Sequence, residues 1–292
     1  MKASVVNDEP HLAEEVAMKD VYVITGGSGG IGLECAKEFK GSIAVIADIN
    51  EEALQSGKVT LESMDIETKT VVCDVTKKEA VKKLATEARG FGPIKGVIHT
   101  AGVSGTVSNT DLVMKVDLIG TAHIIEEFYP HMEAGSSMVL VASMMGYVVP
   151  PNPQYDDLML DCLAPDFLAK ITPFLQGDAN NAYNFAKRGV QLLAEKWALK
   201  YGAQGARINS LSPGIIETPM AVDAAKEHPE QMQYMQSITP LKRNGKPQDI
   251  ADVVSYLCSD KAAFITGSDI RVDGGLIKNL IALQKAQAQG KN

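Results

Sequence analysis

The stretch TGGSGGIG, Thr25 to Gly32, decides how this chain is read. A short apolar run, Val21 to Thr25, leads into it, and Ile31, Cys35 and Phe39 follow at four-residue spacing as far as Gly41. That is a strand, a turn and an amphipathic helix with a glycine stop. Glycines in such a turn let the backbone bend tightly and bring the free N–H groups of the helix start close to an anion such as a pyrophosphate. Five glycines in eight positions leave the register open. Gly26, Gly30 and Gly32 fit one dinucleotide pattern, Gly26, Gly29 and Gly32 a second, and Gly27, Gly29 and Gly32 a third.

Further apolar runs, each short enough for a strand buried on both faces, follow at Ile43 to Asp48, Thr70 to Cys73, Gly96 to Thr100, Met138 to Ala142, Arg207 to Leu211 and Ser268 to Val272. Helix-period stripes alternate with them: Leu112, Val116, Ile119, Ile124 and Phe128; Ala182, Ala186, Val190, Leu193 and Trp197; and Ile250, Val253, Val254 and Leu257 after Pro247. This βαβ rhythm predicts a doubly wound α/β three-layer sandwich around a seven-stranded parallel sheet. Asp48 ends the second strand, 22 residues after Gly26. A carboxylate there accepts both hydroxyls of an adenosine ribose and repels a 2′-phosphate, and no Arg lies at 47–52 to welcome one, so NAD is favoured over NADP.

Composition narrows the classes. The 292 residues are 45% hydrophobic, 22% charged and 5% aromatic, which suits an aliphatic core and excludes a disordered or low-complexity chain. The net charge is −8 with basic residues scattered, against nucleic-acid binding. Cys35, Cys73, Cys162 and Cys258 show neither metal-ligand spacing nor a disulfide framework, so no metal is expected. There is no 18-residue apolar stretch, and Met1 to Asp20 carries no apolar signal core. A cytoplasmic protein without a membrane association is expected.

Tyr183 and Lys187 lie four apart on a helix expected over Asn181 to Tyr201, so both project from one face. Ser143 closes a central strand at the sheet edge where open α/β folds bind ligands. With these, TGGSGGIG, ADIN (Asp48), CDV (Asp74), HTAG at 99–102, ASMMG (Ser143), YNFAK, NSLSPGIIETPM and ITGSDIRVDGG resemble the short-chain dehydrogenase/reductase family, in its compact branch, across roughly 20–275. The resemblance implies one Rossmann-type catalytic domain over 1–292 that moves a hydride between a nicotinamide and a secondary alcohol or ketone. It implies Tyr183 as general acid/base, Lys187 as its electrostatic aid and ribose ligand, and Ser143 as the donor that orients the carbonyl. A neighbouring ammonium and a cationic nicotinamide both favour a phenolate, so the chemistry agrees with those roles. By the same likeness Gly26, Ser28, Gly30, Ile31 and Gly32 would line the pyrophosphate, Asp74 and Val75 the adenine, and Ala101 and Gly102 the adenosine ribose. Pro213, Gly214, Ile216 and Thr218 would take the carboxamide.

The chain departs from the family in three places. His99 and Thr100 stand where two Asn are usual, and His99 reads as a hydrogen-bonded core residue. Asp117, in KVDLIG, stands where an Asn commonly holds water beside the catalytic lysine; it is expected to support the proton relay chiefly through its backbone. Ser143 to Tyr183 spans 40 positions, several times the usual interval, so a segment over 147–178 is inserted beside the site. It carries five prolines and five Asp against one Lys, with a stripe of Leu163, Phe167, Ile171 and Leu175 after a helix start at Pro165. Packing on its own domain and covering a substrate as a helical lid are both open to it. The enlargement resembles that of bacterial 3α-hydroxysteroid dehydrogenases and suggests a bulky cyclic substrate. Met220, Met232, Tyr234 and Met235 lie in what resembles the family's substrate loop. Residues 1–19 form an N-terminal extension, and the tail over 276–292 is expected to dock on a neighbouring subunit or fray. A homo-oligomer, dimer or tetramer, is the family expectation. Two rival functions share the fold: a reductase using NADPH, and a sensor or scaffold that binds NAD without turnover.

Overall fold

The computed structural model describes residues 18–105, 107–218, 229–288 and 290. Nearly all of the expected N-terminal extension, and Met220, lie outside the described residues. The strands are β1 (Val21–Thr25), β2 (Ile43–Asp48), β3 (Glu67–Val72), β4 (Ile94–His99), β5 (Ser137–Val141), β6 (Arg207–Pro213) and β7 (Asp269–Val272). They form one parallel sheet in the order β3-β2-β1-β4-β5-β6-β7. The chain reverses direction between β1 and β4, which opens a crevice at the carboxyl ends of the central strands. Every expected strand is present, with β3 beginning three residues earlier than its apolar run because its first half alternates exposed and buried residues. β6 runs on to Pro213, all seven of its residues buried.

The helices are α1 (Gly30–Lys37), α2 (Glu51–Glu62), α3 (Lys78–Phe91), α4 (Thr110–Met114), α5 (Gly120–Phe128), α6 (Pro153–Leu160), α7 (Phe167–Leu175), α8 (Ala179–Ala203), α9 (Pro229–Ile238), α10 (Pro247–Cys258) and α11 (Leu276–Ala288). Alternate strand residues feed two cores. Val21, Val23 and Val45 face α3, α5 and α8, whereas Ile24, Ile46 and Ile98 face α1, α2 and α10. Each fully buried aliphatic contributes about 1.5–3 kcal/mol of transfer free energy. None of the described helices is long and apolar enough to cross a membrane.

Three departures from the expected pattern bear on the site. Between α4 and α5 the chain widens into a π-helical turn, Lys115–Ile119, in which the N–H of Gly120 reaches back five residues to Lys115. The extra residue shifts the apolar face, so that Val113, Met114 and Leu118 are buried while Leu112 of the expected stripe is exposed. The inserted stripe packs on its own domain: Phe167, Ile171 and Leu175 are buried in the same core as Ala182 and Val190 of α8. Its first helix, Pro153–Leu160, precedes the expected one, which starts at Phe167 rather than Pro165. Finally, the tail is a helix whose Leu276 and Ile277 are buried with Met144 of its own chain, because those side chains find an apolar surface beside the β5 end.

The insert is also fixed to α8 by charge. Arg188 grips the Asp156 carboxylate of α6 with both Nε (2.7 Å) and Nη2 (2.5 Å), and the two side chains are only 12% and 15% exposed. Removing one partner strands the other in a poorly hydrated place. Asp156→Asn is therefore expected to lower the unfolding free energy by about 2–3 kcal/mol in urea titrations, whereas joint replacement of both residues by apolar ones of similar volume costs much less.

His99, the last residue of β4, is completely enclosed. Its Nε2 lies 3.0 Å from the Thr121 hydroxyl and its Nδ1 2.7 Å from that of Thr25. The Thr121 proton goes to the Asp117 carbonyl (2.7 Å), so Thr121 Oγ1 must accept from His99. His99 thus carries its proton on Nε2 and accepts from Thr25 at Nδ1. Burial, with Lys187 adding to it, pushes the ring pKa from 6.5 down to about 3. Between those values only the unfolded chain binds the proton, so stability falls as the pH drops from 6.5 toward 3. His99→Gln is expected to flatten the acid limb of a stability–pH curve by up to about 1.4 kcal/mol per pH unit, measured by urea unfolding at a series of pH values.

Candidate active site

The glycine turn folds directly beneath the end of β4. Gly26 has φ +66°, and a Cβ there would sit 2.8 Å from both Ala101 N and Thr100 Oγ1. A Cβ on Gly32 would be 2.2 Å from the Gly26 carbonyl oxygen. Both positions therefore require glycine. Gly29 differs: it caps α1 without any side-chain hydrogen bond, and a Cβ on it would meet nothing within 4 Å. The start of α1 thus presents backbone N–H groups that its own N-cap residue does not cover with a side chain, the arrangement a pyrophosphate needs. A Cβ on Gly30 would face Thr218 at 3.7 Å, which brings the segment after β6 over the same turn.

Around this turn lie most of the residues singled out from the sequence. The Asp48 carboxylate accepts from the Ser28 hydroxyl at 2.5 Å and from the Asn50 N–H at 3.2 Å, so two expected dinucleotide contacts touch each other. Ile31 is half-buried against the α1 core. Asp74 accepts from both the N–H and the hydroxyl of Thr76, as a turn residue does. Val75 is buried, and its carbonyl receives Nδ1 of His123, which gives that histidine a structural place. Among the described residues no three His, Cys, Asp or Glu side chains gather as a metal centre requires. Pro213 closes β6, the Gly214 N–H donates to the Val272 carbonyl, and buried Ile216 bridges to Gly245.

On α8, Lys187 Nζ lies 5.5 Å from the centre of the Tyr183 ring, so the four-residue spacing does bring the two together. The ammonium also reaches the Val141 carbonyl at the end of β5 (3.2 Å) and the Asp117 carboxylate (Oδ2, 3.5 Å). Asp117 is not a solvated helix residue; its side chain is wholly buried, with Oδ1 accepting from the Val103 N–H at 2.8 Å. Its Oδ2 makes no hydrogen bond. Burial raises the Asp117 carboxyl above the usual range, with Lys187 and the Val103 N–H opposing it. For Lys187, burial disfavours the charge, but Asp117 and Tyr183 outweigh burial and hold its pKa above the ordinary value. Gly102 makes the approach feasible, since a Cβ there would lie 3.2 Å from Asp117 Oδ1 and 3.3 Å from Lys187 Nζ. The Asp117 carbonyl holds Thr121, while the carboxylate faces Lys187.

Ser143 follows β5 and is 7% exposed, its Oγ accepting from the Met145 N–H at 3.2 Å. Its carbonyl is tied to α8 by Gln191 Nε2 (3.2 Å), which also donates to Ser212 Oγ (2.9 Å). Ser212, Ser210 and Tyr147 all donate to the Asp269 carboxylate. Asp269, from within ITGSDIRVDGG, therefore supports the site, as do Gln191 and Thr121, which no motif marked. The available signal was spacing: Gln191 is one turn beyond Lys187, and Thr121 one turn beyond Asp117.

Known proteins resemble the chain along most of its length. The short chain dehydrogenase profile matches residues 20–155 and the enoyl-(acyl carrier protein) reductase profile residues 173–277, leaving unmatched a stretch that falls within the insert. Sorbose reductase of Candida albicans is 31% identical over 270 residues, covering 87% of this chain and 86% of that protein. Levodione reductase of Leifsonia aquatica is 29% identical over 276 residues, 87% and 93% of the two chains. A crystal structure of levodione reductase superposes with a TM-score of 0.73 at 26% identity, covering 90% and 98%. With a relative of this identity aligned along most of both chains, and both profiles in chain order, the protein belongs to the short-chain dehydrogenase/reductase family.

Proposed function

We propose that the chain interconverts a secondary alcohol and its ketone with NAD(H), using Ser143, Tyr183 and Lys187. The observation that carries this reading is the enclosed ammonium of Lys187 between the Tyr183 ring and the β5 end from which Ser143 projects. Fit to the dinucleotide is supported by the uncapped start of α1 and by the half-buried carboxylate of Asp48 at the end of β2. A bound nicotinamide supplies the hydride donor or acceptor. Ser143 then orients the substrate oxygen by donating its hydroxyl. Tyr183 passes a proton to that oxygen during reduction and takes it back during oxidation. Lys187 places a positive charge beside the Tyr183 ring and would hold the ribose hydroxyls of a bound nicotinamide. Gly26, Ser28, Gly30, Ile31 and Gly32 would hold the pyrophosphate, Asp74, Val75, Ala101 and Gly102 the adenosine, and Pro213, Gly214, Ile216 and Thr218 the carboxamide.

For a bulky cyclic alcohol or ketone, the space on offer is a cavity of about 360 Å³ beside the N-terminal turns of α8, next to Tyr183 but lined by none of Ser143, Tyr183 and Lys187. Asn181, Asn184 and Phe185 form one wall, while Val149, Tyr155 and Phe174 on the insert side form the other. Two relatives are named for the reduction of levodione and of sorbose, which supports a ketone as the oxidised substrate. A homo-oligomer is favoured by the exposed Phe264 ahead of β7, which ends the sheet.

Tyr183→Phe is expected to lower turnover at least about 100-fold while leaving dinucleotide affinity near wild type, read by NADH absorbance and calorimetry. Retained turnover in a screen of steroid, terpenoid and polyol alcohols would count against the reading. Asp48→Asn keeps the shape but removes the repulsion toward a 2′-phosphate. The ratio of kcat/KM with NADP to that with NAD is expected to rise at least about tenfold, and an unchanged ratio would place cofactor choice elsewhere.

A further inference from the structure

The proposed chemistry needs one buried charge on α8, and the structure supplies two of opposite sign. Asp117 Oδ2 is enclosed, lacks a hydrogen bond and lies 3.5 Å from the Lys187 ammonium. A carboxylate in such a place is costly unless a partner needs it. Its position is fixed from three directions. The Val103 N–H binds Oδ1, Thr121 binds the backbone carbonyl in the π-helical turn, and His99 binds Thr121 in turn. The titratable groups that face the pair are Lys187 and Tyr183 on α8 and His99 at the end of β4. His99 is neutral, so Asp117 and Lys187 face each other as the acid and the base of the pair.

We propose that Asp117 is a resident counter-ion to Lys187 that biases the site toward the oxidised dinucleotide. This deepens the reading above and rests on it. An oxidised nicotinamide is a cation and a reduced one is neutral. Beside an unpaired, buried lysine the cation would meet a like charge in a poorly screening interior. With Asp117 ionised the pair has no net charge, and that repulsion is cancelled for the oxidised form alone. Asp117 is thus a positioning residue that acts through Lys187. A purely architectural role would change the affinity of both redox forms alike.

The test is calorimetric titration of the full chain, without substrate, using NAD⁺ and NADH and, in parallel, NADP⁺ and NADPH. Asp117→Asn keeps the side-chain shape and an oxygen for the Val103 N–H but removes the charge. Its Kd for the oxidised form is expected to rise about tenfold more than its Kd for the reduced form, the scale of one unit charge acting through a protein interior. Thr121→Val, which loosens the turn but keeps the carboxylate, is expected to move both constants together. Equal changes in Asp117→Asn, or a larger loss for the reduced form, would overturn the proposal. Asp117→Ser is read by the same ratio if circular dichroism shows the Asn variant unfolded. Failure of the wild type to bind either pair would instead sink the dinucleotide reading itself.

Discussion

An ammonium group taken out of water must be met by another charge or by ordered dipoles, and much of this structure answers to that requirement at Lys187. The Val141 carbonyl, the Asp117 carboxylate and the Tyr183 ring surround it, each delivered by a different part of the chain. β5 brings the carbonyl, the π-helical turn brings the carboxylate, and α8 brings both the lysine and the phenol. The requirement extends outward: the turn is fastened by Thr121, Thr121 by His99, and His99 by Thr25, the residue that opens the glycine turn. Hydrogen bonds therefore run from the start of the glycine turn to the Asp117 carbonyl, and the carboxylate of that residue faces Lys187.

Cofactor and substrate sides are built differently. Toward the dinucleotide the protein offers backbone, with glycines wherever the chain crosses itself within contact distance. On the insert side the walls are side chains, an aromatic group of Tyr155, Phe174 and Phe185 packed edge to face, with the carboxamides of Asn181 and Asn184 beside it. A pyrophosphate is the same for every substrate, so its binding can be written into the main chain. Selectivity among alcohols needs surfaces that differ between relatives, and on the proposed reading the insert would supply one.

The fold was legible because its signals are local. β1 and β2 fall within the expected bounds, since an apolar run between a turn and a helix start has few other readings. The glycine turn and the Tyr183–Lys187 spacing were legible for the same reason, each being contained within two helical turns. What escaped was long-range or out of period. Nothing in KVDLIG announces a π-helical turn, because hydropathy alone does not distinguish a wide turn from a regular one. Asp117 could be named as unusual, yet only the fold brings it against a residue 70 positions away. The contact made by the start of the tail was out of reach because its partner, Met144, belongs to a distant segment.

The wide turn before α5 has a bearing on how this protein can vary. Loss of a single residue there would heal it into ordinary α-helix and rotate everything beyond it by about 100° relative to what precedes it. The segment ahead of the turn is locked to α8 and the segment after it to β4 and α3, so neither side is free to follow. Surface connections elsewhere in the chain can gain or shed residues across generations. The helix across this turn tolerates no such change of length, because removing its surplus residue would carry Asp117 away from Lys187.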